Sequence, residues 1–175
     1  NSANGVALVT GATGGMGAAS ARALAEAGYE ELLLCDMDAA RLEAVAAPLR
    51  AAGAKVDVLA GNVSDPAYPG EVVKALGGRQ IAAVVHTAGV GPSGGTPARI
   101  LDINLVATIR LIDAIRDHMA DGSAAVLIAS NSAHLPLPAQ ATEAARKRLD
   151  AASAAALASV CPDGFHAYAI SKYGV

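Results

Sequence analysis

Short apolar runs alternate with helix-like stretches along the whole chain, and this alternation limits the fold more than any other feature. Residues 6–11 (VALVTG) read as a buried strand entering a glycine turn, and residues 15–27 as a helix closed by Gly28. Residues 31–36 (ELLLCD) form a second strand pattern, and residues 38–53 a helix ended by Gly53. A third strand pattern covers residues 55–63 and a short helix lies within 65–76. The fourth strand pattern is 81–89 (IAAVVHTAG), followed by a glycine/proline loop that ends in an N-cap at Thr96 with Pro97 in the first helical position. One long helix is expected from there to about Met119, then a fifth strand over 123–130 (SAAVLIAS). A last helix starts near His166. Strand and helix in strict alternation predict an α/β protein with a doubly wound parallel sheet and right-handed crossovers.

Composition agrees with a sheet buried on both faces. Of the 175 residues, 53% are apolar but only 3% aromatic, so the core is built from Val, Ile, Leu and Ala. That length holds one domain, and no linker or repeat divides it. The net charge of -3 carries no basic run, which argues against a nucleic-acid partner. Cys35 and Cys161 are too few and too far apart for a disulfide framework or a metal knuckle. With no long apolar span and no charged-then-apolar leader at Asn1, the expected setting is the cytoplasm, away from membranes.

The turn TGATGGMG after the first strand is the strongest local motif. Gly11, Gly15 and Gly17 fit one dinucleotide-binding spacing, and Gly11, Gly14 and Gly17 fit another. Either allows a tight turn and close approach of main chain to a pyrophosphate, which the following helix N-terminus attracts. Asp36 ends the second strand roughly 20 residues further on, where a carboxylate accepts hydrogen bonds from an adenosine ribose. The competing reading is that Asp36 caps the next helix. A carboxylate there repels a 2′-phosphate, and the nearest following cation is Arg41, so NAD is expected in preference to NADP.

The last helix carries Tyr168 and Lys172 four residues apart, on one helical face. With the glycine turn, this Tyr-x-x-x-Lys pair makes the chain resemble the short-chain dehydrogenase/reductase family over nearly its whole length, most like 3α-hydroxysteroid dehydrogenase/carbonyl reductase relatives. The resemblance implies a Rossmann sheet and places further residues. Asn62 and Val63 stand where the family contacts adenine, Asn62 replacing the usual acid. His86-Thr87-Ala88-Gly89 stands where the family has Asn-Asn-Ala-Gly, with only Ala88 and Gly89 matching. Asn104 matches the family's helix asparagine, and Ser130 the serine that ends the fifth strand, with Ser132 as its competitor.

From that resemblance follow the expected roles. Tyr168 is the general acid or base, Lys172 holds the nicotinamide ribose and favours the phenolate, Ser130 steadies the substrate oxygen, and Asn104 relays protons through water. The coenzyme falls to Gly11, Thr13, Gly15, Met16, Gly17, Asp36, Asn62, Val63, Thr87, Ala88 and Gly89, with Tyr168 and Lys172 at its nicotinamide end. A tyrosine ordinarily ionises near pH ~10, so its use as a base at neutral pH needs a fixed cation beside it. The implied reaction interconverts a secondary alcohol and a ketone, a hydroxysteroid among the candidates, in a homodimer or homotetramer. An extended relative of nucleotide-sugar epimerase or dehydratase type, and a non-catalytic dinucleotide sensor, are the alternatives. The family's C-terminal strands are expected to be missing, the chain being truncated after the Tyr168/Lys172 motif. Residues 135–161 are expected to be a helical insertion that covers the substrate or alters subunit contacts.

Overall fold

The computed structural model describes residues 5–146 and 151–175. The chain divides into two compact units. The first runs to Ala88 and resumes over Leu111–Leu127; the second comprises Gly89–Arg110 and Ile128–Val175.

The first unit holds five strands: β1 (Val6–Thr10), β2 (Glu31–Asp36), β3 (Lys55–Ala60), β4 (Ile81–His86) and β5 (Met119–Leu127). They form one parallel sheet in the order β3-β2-β1-β4-β5. Helices α1 (Gly15–Glu26), α2 (Ala39–Ala51) and α3 (Tyr68–Leu76) provide the crossovers between the first four strands. The winding reverses between β1 and β4, and in sheets of this kind the crevice at such a reversal is where ligands bind.

Side chains alternate faces along each central strand, as a period of two requires. Val6, Leu8, Leu33, Cys35 and Val84 point into one core with Tyr68, Val72, Leu76, Leu111 and Ile115. Ala7, Val9, Leu32, Leu34 and Ala83 point into the other with Ala21, Leu42, Ala46 and Leu49 of α1 and α2. Positive φ at Gly28 and Gly53 ends α1 and α2 where the sequence pattern places those ends.

The second unit departs further from the sequence pattern. The Thr96 side chain does accept from Arg99 N, and Pro97 does open a helix, α4 (Pro97–Leu101). The expected helix runs on without a gap to His118 but changes its winding on the way. Residues Asp102–Val106 form a π turn, α5 follows over Ala107–Ile115, and a 3₁₀ turn covers Arg116–His118. The fifth strand therefore begins at Met119 and ends at Leu127, so Ser130 lies beyond its end. Ser130 instead caps a 3₁₀ turn, Asn131–His134, and accepts from Ser132 N. The third and fourth strands also end earlier than their apolar runs, leaving Asn62, Val63, Thr87, Ala88 and Gly89 in the turns that follow.

Helices α6 (Ala139–Arg146) and α7 (Ala151–Ser159) divide the stretch expected as one helix over 141–160; its residues 147–150 lie outside the described residues. Ala141, Ala145, Ala154 and Leu157 are buried with Ile100, Leu101, Leu105, Ala167 and Ile170. This stretch thus supplies core to its unit, because its alanines let helices pack closely against α4 and α8 (Gly164–Gly174). Asp163 caps α8 by accepting from His166 N at 2.9 Å. Among the described residues, no helix is long and apolar enough to cross a membrane.

Candidate active site

In the first unit the glycine turn sits at the C-terminal end of β1. Gly11 has φ +67, and a β-carbon there would lie 2.6 Å from Thr87 Oγ1 and 2.7 Å from Ala88 N. At Gly17 it would run into the Gly11 carbonyl oxygen and lie 2.8 Å from Ala12 Cα. Both glycines are therefore required by packing alone. Gly15 differs, since a β-carbon there meets nothing within 4 Å. Gly14 is the N-cap of α1 and offers no capping side chain, so the first N–H groups of the helix receive no side-chain cap. Met16 is exposed beside them.

Asp36 anchors this turn from the neighbouring strand. Its Oδ2 accepts from Thr13 N (2.9 Å) and Thr13 Oγ1 (2.7 Å), and its Oδ1 from Met37 N (2.7 Å). It does not cap α2; Asp38 does, accepting from Arg41 N at 3.1 Å. A carboxylate has about four acceptor positions, so Oδ1 keeps capacity for a sugar hydroxyl. Arg41 Nη2 donates to Thr13 O at 3.0 Å, which brings a guanidinium to the same corner.

The ends of β1 and β4 are tied together by side chains. Thr10 Oγ1 and His86 Nδ1 lie 2.7 Å apart, and both residues are buried. Thr87 Oγ1 donates to Thr10 O (2.8 Å) and Gly11 O (3.2 Å), and Ala88 N to Thr10 Oγ1 (3.4 Å). His86, where the resemblance expects an asparagine, joins this lattice through Thr10. After β3, the Asn62 side-chain oxygen accepts from Ser64 N (3.1 Å) and Ser64 Oγ (2.9 Å), while Val63 packs on the core.

The open helix N-terminus, the bare Gly15 and the spare acceptor on Asp36 fit the adenosine-diphosphate half of a dinucleotide. Among the described residues, no group of His, Cys, Asp and Glu side chains is arranged to hold a metal ion.

The second unit carries the acid/base candidates. Half-buried Tyr168 and Lys172 share one face of α8, with Lys172 Nζ 5.9 Å from the centre of the Tyr168 ring. Lys172 Nζ donates to Ile128 O at 2.7 Å, and burial pushes its amine below the ordinary lysine range. Two residues beyond Ile128, Ser130 is partly open while Ser132 is buried and donates its hydroxyl to Ser130 Oγ at 3.0 Å. Ser130 is thus the serine presented outward, supported by Ser132. Gly89 lies close to both Asn104 and Lys172; an added β-carbon would be 3.0 Å from Asn104 Oδ1 and 3.7 Å from Lys172 Nζ.

Buried Asn104 sits inside the π turn. Its Oδ1 accepts from Val90 N (2.8 Å), and its Nδ2 donates to Val90 O (2.9 Å) and Ser171 Oγ (3.2 Å). Sequence reasoning passed over Ser171 and Thr10. Ser171 adjoins Lys172 in an otherwise apolar helix face, a signal that was available.

A parallel sheet reversing at β1/β4, with a glycine turn at that reversal, defines a Rossmann-type α/β protein. The family model described as short chain dehydrogenase matches residues 5–159, and the chain belongs to that family. It is 34% identical over 142 residues to pikromycin polyketide synthase component PikAIII of Streptomyces venezuelae, covering 74% of this chain and 9% of that protein. It is 32% identical over 130 residues to a bifunctional UDP-glucose 4-epimerase and UDP-xylose 4-epimerase of Arabidopsis thaliana, covering 72% of this chain and 36% of that protein. The crystal structure of the 3-alpha-hydroxysteroid dehydrogenase from Pseudomonas sp. B-0831 complexed with NADH superposes with a TM-score of 0.74 at 26% identity, over 97% of this chain and 62% of that one. The chain therefore spans less than two thirds of each of these proteins.

Proposed function

We propose that the protein is an NAD(H)-dependent oxidoreductase interconverting a secondary alcohol and a ketone. The observation that carries this is the Tyr168/Lys172 pair on one helix face, with the lysine amine held by the Ile128 carbonyl two residues before Ser130. Gly11, Thr13, Gly15, Met16, Gly17, Asp36, Asn62, Val63, Thr87, Ala88 and Gly89 would bind the coenzyme. When bound, the nicotinamide supplies or accepts the hydride.

Tyr168 Oη gives a proton to the carbonyl oxygen in reduction and takes it back in oxidation. Lys172 favours the phenolate by its charge, and Ser130 Oγ donates to the substrate oxygen. The Asp36 carboxylate favours NAD, since a 2′-phosphate placed there would be repelled; Arg41 opposes this only in part, being engaged by Thr13 O. A homodimer or homotetramer acting on a small alcohol or ketone in the cytoplasm completes the reading, and the likeness to the Pseudomonas enzyme makes hydroxysteroids the first substrates to try.

The decisive experiment follows absorbance of reduced nicotinamide with a ketone panel, in the full-length protein and in Tyr168→Phe. Loss of a positioned acid/base costs ~10²–10⁴ in rate; a Phe variant with unchanged turnover overturns the assignment. A second reading, nucleotide-sugar epimerisation with retained NAD, is favoured by the plant epimerase match and by the histidine at position 86. Turnover of a UDP-sugar without net NADH formation would select it. Retention of Tyr168, Lys172 and Ser130 together supports an enzyme over a silent sensor.

A further inference from the structure

We propose that Ser171 is a positioning residue that joins Asn104 to the helix turn bearing Tyr168 and Lys172. The inference rests on Tyr168 being the acid/base group. Asn104 is 1% exposed and Ser171 0%. Asn104 is clamped to both main-chain polar groups of Val90, and its remaining Nδ2 hydrogen goes to Ser171 Oγ at 3.2 Å. The single hydroxyl hydrogen of Ser171 goes to Tyr168 O at 2.7 Å. Every donor in this chain is spent, so the Asn104 amide has no N–H left for a substrate or a water. Its main-chain oxygen accepts the Thr108 hydroxyl at 2.9 Å and, with two lone pairs, can accept one bond more. The Asn104 side chain therefore acts through Ser171, which leaves only its main-chain oxygen for the water relay.

The π turn is what makes this possible. It widens the helix at Asp102–Val106 and holds the Asn104 amide between the Val90 main chain and α8. The Tyr168–Lys172 turn is then pinned at two points, Ser171 to Asn104 on one side and Lys172 Nζ to Ile128 O on the other. The phenol oxygen lies at the far end of a long rigid side chain, so a small rotation of this turn is magnified there. Misplacement of a reacting group by about 1 Å costs on the order of 100-fold in rate.

The test compares Ser171→Ala, Asn104→Ala, the double variant and Tyr168→Phe in the full-length protein. Ser171→Ala is nearly isosteric and should fold, with a lowered melting temperature because the buried Asn104 amide loses its acceptor. Its kcat should fall by about 10-fold (about 1.4 kcal/mol) while KM for NADH stays within about 2-fold. The double variant should be no slower than Asn104→Ala alone, as coupled residues are non-additive. Wild-type kcat in Ser171→Ala, or losses that multiply in the double variant, would overturn the proposal. If instead Tyr168→Phe keeps full activity, the underlying acid/base reading is what fails.

Discussion

Gly15 and Gly17 stand two residues apart at the start of α1, and alanine at each should have opposite consequences. The methyl of Gly17→Ala would press on the Gly11 carbonyl and lie 2.7 Å from Gly11 C and 2.8 Å from Ala12 Cα. These are main-chain atoms, so the helix itself must shift. Overpacking of that kind costs about 1–3 kcal/mol, against a helix-propensity gain of up to about 1 kcal/mol. The net loss, up to about 2 kcal/mol, corresponds to a fall of roughly 4–8 °C in Tm for a chain of this size. Gly15→Ala meets no atom within 4 Å and has no positive φ to relieve, so it keeps the propensity gain, a rise of up to roughly 2–4 °C. If a pyrophosphate approaches the main chain there, the same methyl stands in its way. The dissociation constant for NAD should then rise by about 10-fold, or 1.4 kcal/mol. Thermal melts and calorimetric titration with NAD on the two variants read both quantities. A Gly15→Ala protein that is more stable and still binds NAD at wild-type strength would refute the placement of the coenzyme at this turn.

Three further outcomes are expected. Lys172→Met should abolish turnover yet raise Tm, because burial disfavours the charged amine and no carboxylate pairs with it among the described residues. The folded amine titrates below the ordinary 10.5, so wild-type stability should climb as pH rises through the folded value towards 10.5, and the Met variant should lose that climb in alkaline urea titrations. Burial pushes the Cys35 thiol up to about 12, so it should resist alkylation at pH 8 until denaturant is added; native labelling would contradict its burial. Arg79 donates to Glu31 (2.8 Å) and Asp57 (2.7 Å) and holds the Glu31 carboxyl below 4.5. That contribution is complete above 4.5 and is lost as pH falls through the depressed value, so Arg79→Gln should flatten the fall in urea midpoint between pH 6 and 3.

Local chemistry alone determined much of this protein. Apolar runs alternating with helical patterns led to the parallel sheet, Gly28 and Gly53 ended their helices, Thr96-Pro97 opened another, and Asp36 closed its strand. The one-turn spacing of Tyr168 and Lys172 was equally legible, because it needs only a helix. What tertiary structure decided involves partners far apart in sequence. The bond between Thr10 and His86 spans 76 residues and that between Asn104 and Ser171 spans 67, distances at which no periodicity carries information. The same cause put a π bulge into the helix expected to reach Met119, since the π turn there holds Asn104 against Val90 and Ser171. It also moved Ser130 from a strand end to a helix cap. Alanines at 141, 145 and 154, in the stretch expected as a helical insertion, are core because α4 and α8 provide the surface that buries them.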